Sequence, residues 1–159
     1  MERFEMTGTT SLTLYKAADV MPLMLCDVLI VDNDDSGSGA MAEDLTAAGY
    51  TVRTADNCFE AIGAVQRFQP RIVFIEINLP GWLDGCRLSR KIALLDSEIS
   101  IILMSADFEA LQRTHEYQAP AIVAAIAKPL PAGPIKRFVE HVCREKRRGP
   151  LDAGSGCAL

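Results

Sequence analysis

The stretch Arg71–Gly85, RIVFIEINLPGWLDG, decides the fold. Ile72 to Ile77 is a run of β-branched and aromatic residues, interrupted by one acid, Glu76, and stopped by Pro80-Gly81. Such a run reads as a parallel strand buried on both faces that delivers a carboxylate to its carboxyl end. A buried charge is costly unless it is paired or metal-bound, so Glu76 is a candidate for chemistry. The alternative is a strand-end acid turned into solvent, and the other strand ends decide between the two.

Working outward, Val28–Val31 is a short apolar run ending in Asp32-Asn33-Asp34-Asp35. The turn Ser36-Gly37-Ser38-Gly39 then opens a helix with Met41, Leu45 and Ala48 on one face and Gly49 as its stop. Tyr50–Ala55 reads as a second strand, and Ala61, Val65 and Phe68 mark a helix closed by Pro70. After the central strand, Leu88, Ile92 and Leu95 mark a third helix begun near Asp84. Ile99–Met104 is a fourth strand ending at Ser105, followed by a weakly patterned helix over roughly Phe108–Gln118. Ala121–Ala127 is a fifth strand ending at Lys128-Pro129, and Ile135, Phe138, Val139 and Val142 define the last helix.

Strict alternation predicts an α/β fold, a doubly wound five-stranded parallel sheet covered by five helices. In such sheets the functional crevice lies outside the carboxyl ends of the strands. Four of the five strand ends aim a polar group there, through Asp32 and Asn33, Glu76, Ser105 and Lys128.

The chain has 159 residues, 49% apolar and 23% charged, which suits one soluble domain with its own core. We place that domain at 26–146, after a partly ordered extension over 1–25 and before a flexible tail over 147–159. The net charge of −5 argues against nucleic acid as a partner. Five cysteines without CxxC spacing suggest free thiols in the cytoplasm, and no signal peptide or membrane span is readable.

The set VLIVDND, IVFIEINLP with a following DG, IILMSA and AKP resembles the receiver domain of two-component response regulators, from about residue 27 to 144. The resemblance implies the flavodoxin-like strand order 2-1-3-4-5 and a phosphorelay in which an acid accepts a phosphoryl group from a histidine kinase with Mg²⁺ present. It makes Glu76 the phosphoacceptor position, Ser105 the switch hydroxyl and Lys128 the lysine that contacts carboxylate or phosphoryl oxygens. Asp32, Asn33 and Asp34 form the acidic pocket, and Asp32, Glu76 and the Asn78 carbonyl stand at the metal positions.

Three departures matter. Glu76 stands where the family has Asp, Asn33 has lost the charge of a metal acid, and Ala125 stands where many receivers keep an aromatic residue. An added methylene lengthens reach by about 1.5 Å, and a misplacement of about 1 Å can slow a reaction roughly 10²-fold. The changes at Glu76 and Asn33 argue against phosphorylation and weaken the case for Mg²⁺, which stays a possible cofactor. The sequence reading is therefore a stand-alone, non-enzymatic pseudo-receiver, held in one state by a Glu76–Lys128 pair and acting on a protein partner such as a kinase or downstream regulator. A homodimer through the last helix and fifth strand belongs to the same expectation.

Two alternatives carry weight. VDNDDS is similar to the DxD motif of haloacid-dehalogenase-type phosphatases, with Asp32 as nucleophile and Asp34 as acid/base. The basic helix end Arg144, Lys146, Arg147 and Arg148 suits a receiver-like cyclic-di-GMP effector. The loop PGWLDG is one residue longer than usual for the family, and Trp82 within it reads as a partly buried anchor.

Overall fold

The computed structural model describes residues 2–5, 11–14, 25–114 and 120–148. The main sheet uses strands β3 (Val28–Val31), β4 (Val52–Ala55), β5 (Ile72–Glu76), β6 (Ser100–Ser105) and β7 (Ile122–Ala127). They are parallel in the order β4-β3-β5-β6-β7, the 2-1-3-4-5 arrangement of a flavodoxin-like sheet. Two further strands, β1 (Glu2–Glu5) and β2 (Ser11–Leu14), form a separate antiparallel pair within the extension, where the sequence reading placed no element. Residues 1, 6–10 and 15–24 of that extension and the whole of 149–159 lie outside the described residues.

The inner strands β3 and β5 are buried along their whole length, as apolar runs closed in β5 by the single acid Glu76. Helices α1 (Asp35–Ala47) and α5 (Ala132–Arg148) cover one face, packing Met41, Leu45, Ile135 and Val139 against Ile30, Phe74 and Met104. The other face holds α2 (Cys58–Phe68), α3 (Gly85–Leu95) and α4 (Phe108–Arg113), with Ala61, Val65, Leu88 and Ile92 against Val73, Ile75 and Leu103. Each face thus has its own apolar layer, and the sheet is the shared partition.

Helix starts follow local chemistry. Asn57 caps α2 by accepting hydrogen bonds from the Phe59 and Glu60 amides, and Asp84 caps α3 by accepting from the Arg87 amide. Two boundaries differ from expectation. The Ser36–Gly39 run lies inside α1 rather than in a turn before it, and the Ser38 hydroxyl donates to the Asp34 carbonyl at 2.8 Å, one helical turn back. Helix α4 ends at Arg113, and residues 115–119 of the longer helix expected there, His115 among them, lie outside the described residues. No helix among the described residues is long and apolar enough to cross a membrane.

Candidate functional site

Strand order reverses direction at β3 and β5, so the ends of these neighbours open the crevice of the sheet. Asp32 follows β3 directly, and its amide donates to the Ala55 carbonyl at 3.0 Å. Glu76 is the last residue of β5, Ser105 the last of β6, and Lys128 follows β7 with its amide on the Ser105 carbonyl at 2.9 Å. Asp32, Glu76 and Ser105 are all buried, and they line a hollow of about 400 Å³ with Asn78 and Lys128. A wider, mostly apolar cleft of about 780 Å³ runs beside it between α1 and α5, and shares Asp32 and Lys128 as lining.

The Lys128 ammonium joins the two acids. Its Nζ lies 2.6 Å from Asp32 Oδ2 and 2.7 Å from Glu76 Oε2. The remaining carboxylate oxygens take backbone donors, with the Asp34 amide on Asp32 Oδ1 and the Asn78 amide on Glu76 Oε1, each at 3.0 Å. Burial pulls the Lys128 pKa down, but hydrogen bonds and charge from Asp32 and Glu76 outweigh it and hold the ammonium above its ordinary value. Two carboxylates against one ammonium leave the cluster with one excess negative charge.

Ser105 is not bonded to Glu76. Its Oγ accepts the Asn78 amide side chain at 3.3 Å and the Asp107 backbone N–H at 3.0 Å. The side-chain role of Asn78 and the contribution of Asp107 escaped the sequence reading; the signal for Asp107 was its place as N-cap of α4, just after the strand end. Asn33 and Asp34 are exposed but line the same hollow, so the acidic pocket combines one buried acid, Asp32, with two residues at its rim. Ala125 lies exposed on β7 and supplies no aromatic ring.

Gly85 fixes the position of Glu76. A Cβ at this helix start would fall 2.1 Å from the Glu76 carbonyl oxygen, and the Gly85 amide donates to the Ile77 carbonyl at 2.9 Å. Only glycine lets α3 approach the strand end so closely. In the same loop Gly81 adopts a φ of 114°, and Leu79 and Leu83 are buried while Trp82 is exposed. The anchor expected at Trp82 is instead Leu83, its neighbour, which is buried while the indole is exposed.

The family model for the response regulator receiver domain matches residues 28–140. The chain belongs to this family. It is 33% identical over 123 residues to the C4-dicarboxylate transport transcriptional regulatory protein DctD of Rhizobium meliloti, covering 76% of this chain and 26% of that protein. It is 26% identical over 115 residues to sporulation initiation phosphotransferase F of Bacillus subtilis, covering 71% of this chain and 90% of that protein. The crystal structure of the receiver domain of NtrX from Brucella abortus superposes with a TM-score of 0.65 at 27% identity, over 74% of this chain and 98% of that one. The first relatives are much longer, since the receiver matches only 26% of DctD and 18% of the nitrogen assimilation regulatory protein NtrX of Azorhizobium caulinodans.

Membership places the chain among two-component response regulators, with the Asp32/Asp34 phosphatase reading set aside. Of the basic helix end read as a cyclic-di-GMP site, the side chains of Arg144 and Lys146 are described. Arg144 pairs with Glu140 at 2.5 Å and Lys146 donates to the Arg71 and Glu98 carbonyls, so both are engaged within the fold. Receiver domains interact with histidine kinases and downstream regulators, and typically bind Mg²⁺ at the phosphorylation site. The donor set of this receiver falls short of such a centre. Asp32 and Glu76 each commit one oxygen to an ammonium and the other to an amide, Asn33 is neutral and exposed, and Mg²⁺ demands near-ideal octahedral oxygen geometry.

Proposed function

We propose that this chain is a pseudo-receiver, a signalling module of a two-component pathway that works by protein contact without being phosphorylated. One observation carries the reading: a single ammonium, Lys128, sits 2.7 Å from Glu76 and 2.6 Å from Asp32. The lysine that would meet a phosphoryl group is already neutralised by the longer acid at the acceptor position, and Ser105 is engaged by Asn78 and Asp107. The closed network supports a receiver held in one signalling state. In this reading the chain turns over no substrate and needs no Mg²⁺.

Its partner is a protein of the pathway, a kinase or a downstream regulator. The net charge of −5 disfavours nucleic acid, and the exposed edge of β7, with Val123 outward, offers a strand-and-helix face for a second copy. The described cysteines are free and buried, in keeping with a reducing cytoplasm.

The test is intact mass after incubation with Mg²⁺ and acetyl phosphate. The wild type should remain unmodified while Glu76→Asp gains one phosphoryl group. Phosphorylation of the wild type at Glu76, Asp32 or Asp34 would overturn the proposal.

A further inference from the structure

Six large apolar side chains are exposed among the described residues, and four of them, Phe59, Trp82, Leu94 and Leu95, belong to α2, α3 or the loop between β5 and α3. Their placement follows from the loop. Leu79 and Leu83 are buried on either side of Trp82, Asp84 caps α3, and Gly85 is pressed onto the end of β5. With both ends pinned, the middle of the loop faces outward, and Trp82 is 55% exposed.

The indole lands beside Phe59, itself 68% exposed, with ring centroids 5.7 Å apart at 49°. The Lys91 ammonium lies 5.5 Å from the Trp82 ring centroid, within cation–π range. Arg87, Lys91 and Leu94 follow one another at i, i+4 and i+7, so they form one row along α3 that starts at the aromatic pair. The row spans about 10 Å, from the ~1.5 Å rise per helical residue. Arg87 is mostly exposed and Leu94 is 88% exposed.

The acids nearby are committed locally. Asp84 accepts the Arg87 amide as helix cap, with only a 3.7 Å contact to the Arg87 side chain, and Glu60 accepts the Asp56 amide. A strip that joins tryptophan, phenylalanine and leucine to the cations Arg87 and Lys91 is locally complementary to an acidic ligand that carries apolar anchors. Tryptophan and arginine are also the residue types that dominate binding energy at protein interfaces.

We propose that the Phe59–Trp82–Lys91–Leu94 strip is a docking site for an acidic segment of a partner protein carrying aromatic or leucine anchors. Its carboxylates meet Arg87 and Lys91, and its apolar anchors cover the Phe59–Trp82 pair and Leu94. Single-stranded nucleic acid would use the same groups, with bases on the rings and phosphates on the cations, but Arg87 and Lys91 are two cations in one short row rather than a basic groove that tracks a phosphate backbone. The site is separate from the acid–lysine cluster and does not depend on whether Glu76 accepts phosphate.

The experiment selects random dodecapeptides displayed on phage against the full chain. Soluble fluorescein-labelled winners are then measured by anisotropy on the wild type, Trp82→Ala, Lys91→Glu and Glu76→Asp. We expect winners rich in Asp and Glu with aromatic or leucine anchors, at least tenfold weaker on Trp82→Ala and Lys91→Glu and unchanged on Glu76→Asp. Thermal melts confirm that both surface variants fold. The proposal is overturned if no peptide is enriched, if winners lack acidic residues, if Trp82→Ala binds them equally, or if labelled oligo-dT binds the wild type more tightly than any peptide.

Discussion

The two ends of the sheet each carry buried charge, and they use it differently. At the amino end, Asp27 accepts the Arg71 guanidinium at 2.6 Å and the Thr51 amide at 2.9 Å, and Lys146 donates to the Arg71 and Glu98 carbonyls. At the carboxyl end, two acids converge on the single ammonium of Lys128. The contrast is sharpest between the two lysines. Burial is the first effect on both, yet Lys146 is pushed below its ordinary pKa and Lys128 is held above it, because only Lys128 hydrogen-bonds to carboxylates. The amino end is a staple between β5, the start of β6 and α5; the carboxyl end keeps an unbalanced charge where a receiver does its signalling.

The largest break in this contrast should come from Lys128→Met. It leaves two carboxylates together without a cation, and removal of one partner from a buried ion pair costs about 3–5 kcal/mol. Lys146→Met loses hydrogen bonds to carbonyls and should cost about 1 kcal/mol. Urea midpoints at pH 7 measure both, and equal losses would erase the distinction between the ends.

Gly85→Ala comes next. The added methyl meets the Glu76 carbonyl at 2.1 Å, so backbone must move, and overpacking of this kind costs about 1–3 kcal/mol. A thermal melt of this variant should fall clearly below wild type, and an unchanged melt would mean that the start of α3 is not held tightly against β5.

Alkaline pH sharpens the comparison with opposite signs. The folded pKa of Lys128 lies above its unfolded value of 10.5, so its stabilisation is present below 10.5 and is lost as pH rises through the folded value. The folded pKa of Lys146 lies below 10.5, so that group favours folding more as pH rises through its lowered value. Wild-type minus variant stability, measured for each Lys→Met change across this range, should therefore fall for Lys128 and rise for Lys146.

The smallest effect concerns two thiols, one near each end. Burial pushes both Cys26 and Cys86 up to about 11, so neither presents thiolate at neutral pH. Iodoacetamide at pH 7.5 should label them only after unfolding, as peptide mass mapping would show; rapid labelling of Cys86 alone would reveal a carboxyl end that opens far more readily than the amino end.

Most of the main fold was legible because its signals are local and periodic. The runs Val28–Val31 and Ile72–Glu76, the stops at Gly49 and Pro70, and the cap at Asp84 each report a short-range preference that the sheet does not override. The start of α1 was misplaced because glycine and serine at 36–39 read as a turn, whereas Ser38 bonds back into the helix. The β1–β2 pair was missed because Glu2–Glu5 and Ser11–Leu14 mix charged, polar and apolar residues, whereas the equally short Val28–Val31 is an unbroken apolar run.

The sequence by itself determined the doubly wound sheet and the four strand ends that meet at its crevice, since hydrophobic period and chain alternation leave few topologies. It also supplied a glutamate at 76 and a neutral asparagine at 33. Only the tertiary structure decided that Lys128 bridges Asp32 as well as Glu76, that Asn78 rather than Glu76 holds Ser105, and that Trp82 faces outward onto Phe59. Those contacts join residues far apart in the chain, at distances where one ångström changes the partner, and no local pattern encodes them.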